Sequence, residues 1–384
     1  MHERNVKVFV HLGHGFGGQS WAQRHAVGLI PGLNDRLAYG YYRASGNGWS
    51  VEYSEDACEN ALTRFCRLAL RRMVGFDLIH AWRNRNGLFA ADIVWTHTEI
   101  ENLAVLLVFW FCHRGRQPKV IANCLWLFDR WPNLSWPRRF IYRELLRHAD
   151  VVTTLSSANL QVARNVLPGV RCEYIRFGVT IEDLRKPRAR PMHYPLRLAS
   201  LGSDIHRDWQ TIITAFGNRE GYRVAIGSRG INPKMLMGIT NVTVLSVATA
   251  DDVKALYDWA DIVVVSVKPN LHASGITVIL ESVILGVPVV CTDSGGLRAY
   301  FSPAELCYVP IYAPIAMRVA VEELARDDER RLDMVVRAQK RLLTTSLTTQ
   351  GFAERHRQLS EELLVRGPKM GLTGNAARGI ARTR

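Results

Sequence analysis

LHASGITVILESVILGVPVVCTDSGG, residues 271–296, is the stretch of sequence that decides the fold. It predicts a loop, a buried helix, a turn, a short strand and a glycine-rich turn, in that order. Ser274 is a natural N-cap, and residues 275–285 are almost all apolar, so the predicted helix is buried on every side. Gly286 ends this helix, and Pro288 prevents its continuation before a parallel-type strand begins.

Glu281 is the anomaly in this helix. A carboxylate among apolar residues needs partners, because burying an unpaired charge costs at least several kcal/mol. The start of the helix also offers free N–H groups near Ser274 and Gly275, which suit a phosphate. A diphosphate at the helix start and sugar hydroxyls on Glu281 would satisfy both features. The alternative is an ordinary buried helix in which Glu281 forms a core ion pair.

The same stretch resembles the donor-site signature of GT-B glycosyltransferases, and family 4 in particular. In that family a Glu-x7-Glu motif crosses this helix and is followed by G-x-P-V-V-x-T-x-x-G-G. Glu281 corresponds to the second Glu. The matching tail residues are Gly286, Pro288, Val289, Val290, Thr292, Gly295 and Gly296. Ala273 stands where the family has its first Glu, and His272, Ser274 or a backbone N–H could replace that contact.

The resemblance implies a donor site that binds a nucleotide-diphosphate sugar. Its expected residues are Gly17, Gly18, Ser203, Arg207, His272, Ser274, Gly275, Ile276, Thr277 and Glu281. Family 4 enzymes carry a cation on the loop after the first strand of the second domain. Ser203 occupies the usual Arg position, so Arg207 is expected to serve the diphosphate by stabilising the charge of leaving UDP or GDP. The alternative for Arg207 is a surface ion pair with Asp208.

The composition limits the class of protein. The 384 residues are 48% hydrophobic, which is enough for two domains with sizeable cores. The seven cysteines form no C-x-x-C pair, which fits reduced cytosolic thiols better than disulfides or zinc. No signal peptide is recognisable, and the longest apolar run, residues 103–112, is too short to span a bilayer. The net charge of +14 suits nucleic acid, anionic lipid or a phosphorylated substrate.

Alternating strand and helix signals predict an α/β protein with doubly wound sheets. The resemblance implies the GT-B architecture, two Rossmann-like domains that face a cleft. We predict an acceptor-binding domain at residues 1–183, a linker at 184–195 and a donor domain at 196–348. Residues 349–365 are expected to form a helix that crosses back to the first domain, and 366–384 a disordered basic tail. Among the predicted strands are residues 37–42 and 77–81.

A glycine-rich loop follows the first predicted strand. Gly13, Gly15 and Gly18 have the G-x-G-x-x-G spacing, and Asp35 lies at about the distance of a ribose-binding acid. Dinucleotide binding is therefore one interpretation. We favour a flexible loop that faces the cleft, because Asp35 sits in a turn rather than at a strand end, and GT-B enzymes place such a loop here.

Three residues are candidates for acid–base catalysis on the acceptor side. His97, Glu99 and Asp129 each follow a predicted strand, where open α/β sheets bind ligands. An inverting transferase needs a base to deprotonate the acceptor hydroxyl, whereas a retaining enzyme needs none. Each of the three could equally be a helix cap or a loop residue. The sequence has no D-x-D motif, so we predict no metal ion and no cofactor beyond the nucleotide sugar.

Two predicted helices of the first domain carry much of the positive charge. The arginines are Arg64, Arg67, Arg71 and Arg72 in residues 60–73, and Arg138, Arg139, Arg143 and Arg147 in residues 137–148. Trp126, Trp131 and Trp136 lie near the second helix. A basic, aromatic face suits an anionic membrane surface. A solvated helix face is the alternative, and nucleic acid ranks lower because no known binding module is present.

Taken with the resemblance, these features predict a hexosyltransferase that is cytoplasmic and peripheral at the inner face of the cell membrane. Its acceptor would be a saccharide, lipid-linked, in bacterial exopolysaccharide or cell-surface glycan synthesis. The alternatives are a nucleotide-sugar epimerase of the same fold, a Rossmann-type oxidoreductase that uses the N-terminal glycines, and an inactive sugar-nucleotide-binding protein.

Overall fold

Two six-stranded sheets, one in each half of the chain, form the framework. The computed structural model describes residues 5–112, 117–187 and 191–365. Every paired strand in both sheets is parallel. This is the α/β, GT-B architecture that the resemblance implied. The strand orders are β2-β1-β3-β4-β5-β6 in the first sheet and β12-β11-β10-β7-β8-β9 in the second.

The first half alternates strands with helices. Its strands are β1 Val6–His11, β2 Trp49–Tyr53, β3 Ile93–Thr96, β4 Lys119–Asn123, β5 Val151–Thr154 and β6 Cys172–Tyr174. Its helices are α1 Gly18–Ala26, α2 Ala61–Val74, α3 Leu78–Arg83, α4 Arg85–Ala90, α5 Glu99–Phe111, α6 Leu127–Arg130, α7 Trp136–Leu146 and α8 Ser157–Val166, with 3-10 helices at Ala38–Ala44 and Trp131–Asn133. Strands β3, β4 and β5 are buried on both faces, as parallel strands between helices must be.

The second half repeats the alternation. Its strands are β7 Leu196–Leu201, β8 Tyr222–Gly227, β9 Val242–Leu245, β10 Ile262–Val265, β11 Val289–Thr292 and β12 Cys307–Val309. Its helices are α9 Trp209–Phe216, α10 Ala250–Trp259, α11 Ile276–Ile284, α12 Pro314–Arg326, α13 Asp328–Thr344 and α14 Thr349–Val365, with 3-10 helices at Pro233–Leu236 and Leu297–Ala299. Each half has a hydrophobic cluster of its own, and a third cluster runs through both halves.

Two predicted strands are helical in the structure. Residues 37–42 lie largely in the 3-10 helix Ala38–Ala44, where Tyr39 and Gly40 have φ of 61° and 68°. Residues 77–81 enter α3, whose N-cap Asp77 accepts a hydrogen bond from the His80 N–H. Both predictions failed because a short apolar run does not distinguish a strand from a buried helical turn.

The last helix, α14, packs on the first half of the chain. Trp95 Nε1 of β3 donates to Ser360 Oγ over 2.9 Å, and the rings of Tyr41 and Phe352 lie 5.2 Å apart. The predicted tail, residues 366–384, lies outside the described residues. Within the described ranges, no helix combines the length and apolar content that a membrane crossing requires.

The carboxyl ends of the strands in the two sheets meet at one interface. Ser156, after β5, donates through Oγ to the Gly295 carbonyl, which follows β11. Asp129, after β4, accepts from the Leu271 N–H, which follows β10. Ligands of open α/β sheets bind at this edge, so the candidate site lies between the halves.

Candidate active site

Helix α11 begins one residue later than the sequence predicted. Its N-cap is Gly275, with φ of 93°, rather than Ser274. The Ser274 N–H donates to Asn270 Oδ1 and its Oγ donates to Asp204 Oδ2, each over 3.0 Å. Among the described residues, the amides of Gly275 and Thr277 have no hydrogen-bond acceptor. The helix therefore keeps free N–H groups, which attract an anion.

Arg207 is buried beside this helix start and lacks a full set of partners. Its loop follows β7 and pairs with the loop after β10, since Asp208 N donates to Ser266 O and Lys268 N to His206 O. Arg207 is 7% exposed, and its Nε and Nη1 have no acceptor within the described part of the chain. Burial lowers the pKa of the guanidinium, and the carboxylates of Asp204 and Glu281 oppose that change.

The expected alternative, an ion pair between Arg207 and Asp208, is not formed. Asp208 instead caps α9 by accepting from Thr211 N at 3.2 Å. A Cβ added to Gly275 would lie 3.1 Å from Arg207 Nη1, and one added to Gly202 would collide with its Nε. The guanidinium therefore lies against the start of α11, so its unsatisfied nitrogens and the free amides of the helix are neighbours.

Glu281 has partners, but they are not a core ion pair. Its Oε1 accepts from Leu33 N over 2.9 Å, and its Oε2 accepts from the Tyr257 hydroxyl over 2.8 Å. Burial raises the pKa of this carboxyl, while these two donors and nearby Arg207 favour the charged form. Leu33 belongs to the first half of the chain, so the carboxylate joins the two halves.

A second group of charges joins the halves around His272. Its Nδ1 lies 3.0 Å from Asp129 Oδ2, and its Nε2 lies 2.8 Å from Asp204 Oδ2. Burial lowers the pKa of His272, but the hydrogen bonds and charges of the two aspartates outweigh it and raise the pKa to about 9. The Leu271 N–H donates a hydrogen bond to the other oxygen of Asp129, Oδ1, over 2.6 Å. His272 therefore links Asp129 of the first half to Asp204 of the second half.

One group of side chains within the described ranges is compact enough to share a metal ion. Asp129, His206 and His272 offer ligand atoms within 4.8 Å of one another. Both ring nitrogens of His272 are hydrogen-bonded to carboxylates, and its raised pKa keeps a proton on each. A metal ion would have to displace that proton, because metal ligands are neutral imidazoles.

Two acceptor-side candidates have structural partners. His97 is buried against Tyr39, with ring centroids 3.5 Å apart, and its Nδ1 lies 2.9 Å from the Tyr41 hydroxyl. Burial lowers the His97 pKa to about 3, so the ring is neutral. Glu99 Oε2 accepts from the amides of Leu125 and Trp126. Both side chains are therefore buried and bonded within the protein, whereas Asp129 bonds to Leu271 and His272 beside the start of α11.

The N-terminal glycine loop binds carboxylates of its own chain. The amides of Gly15 and Gly17 donate to Asp56, and Gly18 N donates to the Ser54 carbonyl. Asp35, the expected ribose acid, is paired with Arg43. This arrangement contradicts the dinucleotide interpretation, since the donors that would hold a pyrophosphate are taken. It also removes the Gly17 and Gly18 amides from the donor site.

Ser203 is also peripheral to the donor site. It is exposed, and its Oγ accepts from Arg229 N. Sequence reasoning missed Tyr257, Asp204 and the backbone of Leu33. Asp204 lies in the same loop as Arg207 and could have been included on that ground. No local signal marks Tyr257 or Leu33, because each contacts Glu281 only after the chain has folded.

The fold that carries this site is the GT-B fold of glycosyltransferases. Sucrose-phosphate synthase from Thermosynechococcus elongatus superposes with a TM-score of 0.69 at 13% identity, over 94% of this chain and 100% of that one. Anabaena HepE in complex with UDP-glucose gives 0.65 at 11%, over 92% and 99%. The UDP-forming α,α-trehalose-phosphate synthase from Burkholderia vietnamiensis gives 0.62 at 11%, over 94% and 100%.

A sequence match locates a family signature in the second half. Residues 235–341 match the model for glycosyl transferases group 1. This range contains α11, Glu281 and the glycine-rich turn that follows β11. Comparison with curated protein sequences gives no match.

Proposed function

We propose that this protein is a glycosyltransferase that moves a hexosyl unit from a nucleotide-diphosphate sugar to a saccharide acceptor. The buried Arg207 carries the proposal, because its Nε and Nη1 are unsatisfied and it lies against the free amides at the start of α11. A diphosphate would supply the missing acceptors and the opposite charge. The similarity to Anabaena HepE bound to UDP-glucose supports a sugar nucleotide as that anion.

The chemistry assigned to these residues is leaving-group stabilisation. As the glycosidic bond to the diphosphate breaks, negative charge grows on the leaving oxygen. The Arg207 guanidinium and the α11 amides would be fixed in place to receive it, so no reorganisation is needed during the reaction. We propose that this site operates without a metal ion.

Binding of a panel of nucleotide sugars tests the proposal directly. We expect at least one of a set of UDP-, GDP- and dTDP-sugars to raise the melting temperature, because a ligand that binds only the folded state stabilises it. Product analysis with that sugar then separates transfer from epimerisation or from binding without turnover. If no member of the panel shifts the melting temperature at millimolar concentration, the proposal fails.

The proposed acceptor is lipid-linked, at the inner face of a bacterial membrane, as in exopolysaccharide or cell-surface glycan assembly. The support is an exposed apolar surface on α2 and α7, rimmed by arginines. Its apolar members are Leu62, Phe65, Leu68, Met73, Trp136, Phe140 and Ile141. Arg138 Nη2 donates to the Arg72 and Met73 carbonyls, so the two helices lie side by side.

Two residues of the predicted membrane surface are buried in the structure and do not belong to that surface. Arg67 is buried, with ion pairs to Glu59 and Asp77, and Trp131 is buried as well. Arg64 and Arg72 remain exposed, and Trp136 stacks on Phe140 with ring centroids 6.0 Å apart. Basic residues beside exposed aromatic rings are typical of surfaces that bind an anionic leaflet.

Vesicle binding should depend on this surface. We expect flotation with vesicles that contain anionic phosphatidylglycerol, and a roughly ten-fold loss of binding in Phe65→Ser/Trp136→Ser, because two large apolar side chains leave the bilayer. Binding should also weaken with salt. Ile315→Ser is the matched control, since Ile315 is 68% exposed in the second half and Phe65 is 69% exposed. Equal binding to neutral vesicles would contradict the prediction.

A further inference from the structure

The segment of residues 28–34 crosses from the first half and lies on Glu281. Its Leu33 N–H occupies Glu281 Oε1, and the Gly28 carbonyl accepts from Ala250 N of α10 over 3.1 Å. The segment has no regular secondary structure within these residues. The backbone of the segment is therefore hydrogen-bonded to the second half at two residues, Gly28 and Leu33.

Apolar side chains hold the segment in place. Ile30 and Leu33 are 4% and 3% exposed and join the cluster that contains Leu256 and Ile279, whereas Leu29 between them in the chain is 52% exposed. Burial of these two aliphatic side chains favours the closed position of the segment, while the entropy of ordering the segment opposes it. A ligand that binds only when the segment has moved away competes with this anchoring.

The segment leaves no space between itself and the carboxylate. A Cβ added to Gly32 would lie 2.5 Å from Glu281 Oε1. Gly32 has φ of 94° and Gly28 has φ of 73°, so both turns of the segment need a left-handed backbone that glycine adopts without strain. Glu281 Oε2 is already taken by Tyr257. A donor hydroxyl consequently cannot reach Glu281 in this conformation.

We propose that residues 28–34 form a self-inhibitory strap, which must withdraw from Glu281 before a nucleotide sugar can bind with its diphosphate at Arg207 and a hydroxyl on Glu281. This inference rests on the proposed function and adds a regulated step to the same site. The protein then exists in a strapped and an open form, and the donor selects the open one. The apparent affinity for the donor is reduced, because only the small fraction of molecules in the open form binds it.

The test compares two neighbouring residues of the strap. Ile30→Ala removes a buried anchor, and we expect it to tighten the binding of UDP-glucose, or of the panel sugar that binds best, by about ten-fold because the open fraction rises. Leu29→Ala, the matched control at an exposed position, should bind as the unmodified protein does. Titration calorimetry measures both. If Ile30→Ala proves unstable, Gly32→Ala displaces the strap through its clash with Glu281 and should give the same gain.

Hydrogen exchange gives an independent readout. The Leu33 amide should exchange slowly in the free protein and at least ten-fold faster when the sugar nucleotide is bound, because its acceptor is then occupied by the donor. If the unmodified protein binds the sugar while Ile30→Ala and Gly32→Ala gain nothing and the Leu33 amide stays protected, the strap is a fixed wall and this inference is wrong, with the proposed function intact. If no variant binds any panel sugar, both proposals fail.

Discussion

Arg207→Ala should lower kcat by about 10²–10³-fold, which corresponds to about 3–4 kcal/mol of barrier, the usual effect of removing one fixed donor from a developing negative charge. This prediction rests on the proposed function, in which the leaving diphosphate lies at the start of α11, where two Arg207 nitrogens lack acceptors. The Michaelis constant should rise less than kcat falls, because the leaving group becomes more negative toward the transition state. Steady-state kinetics with the donor identified by the panel measures both.

Two variants are controls for this prediction: one keeps a positive charge at position 207, and the other removes an arginine elsewhere in the protein. Arg207→Lys should recover only part of the activity, since an ammonium group cannot form the bidentate contact of a guanidinium. Arg337→Ala, which removes an exposed arginine paired with Asp333 on α13, should leave kcat unchanged. Transfer should also survive EDTA. If EDTA abolishes transfer while Arg207→Ala leaves it intact, the charge is handled by a metal ion and the assignment of Arg207 is wrong.

Arg207→Ala should not unfold the protein. The guanidinium is buried without a full set of acceptors, and the nearby carboxylates that its charge favours keep donors of their own. Glu281 keeps Leu33 N and the Tyr257 hydroxyl, and Asp204 keeps His272 and Ser274. An unchanged or higher melting temperature, together with the loss of kcat, would separate a role in the reaction from a role in the fold.

His272→Leu should have the largest effect on stability. It leaves the Asp129 and Asp204 carboxylates facing each other across the interface without the imidazolium between them. Removing one partner from a buried charge group costs about 3–5 kcal/mol, and we expect a loss of that size in the free energy of unfolding at pH 6. Denaturant titration measures it, and His148→Leu, at an exposed histidine, is the matched control.

The same substitution predicts a pH dependence. The pKa of His272 is raised from 6.5 to about 9 by its bonds to the two aspartates, against the effect of burial. A raised pKa means that the stabilisation is complete below pH 6.5 and is lost as the pH rises through about 9. The difference in unfolding free energy between the unmodified protein and His272→Leu should therefore shrink as the pH rises from 6.5 to about 9, and change little above pH 9. A difference that stayed constant from pH 6 to pH 10 would mean that folding does not raise the pKa of His272.

Much of the fold and part of the site followed from local sequence. Residues 271–296 predicted α11, β11 and the turns around them because apolar content, glycine and proline act over a few neighbouring residues. The same stretch indicated Glu281, since a charge within a buried helix is anomalous wherever it occurs. The position of Arg207 on the first loop of the second half came from the family resemblance.

Tertiary structure decided which of these groups meet. Glu281 contacts Leu33, and His272 joins Asp129 to Asp204, across 248, 143 and 68 residues of sequence. It also showed that Asp56 occupies the amides of the N-terminal glycine loop, and that Tyr39 and Tyr41 enclose His97. Sequence by itself determined what each segment becomes, because helix and strand formation depend on near neighbours. Which carboxylate bonds to which donor depends on how distant segments pack, and local sequence patterns do not predict that packing.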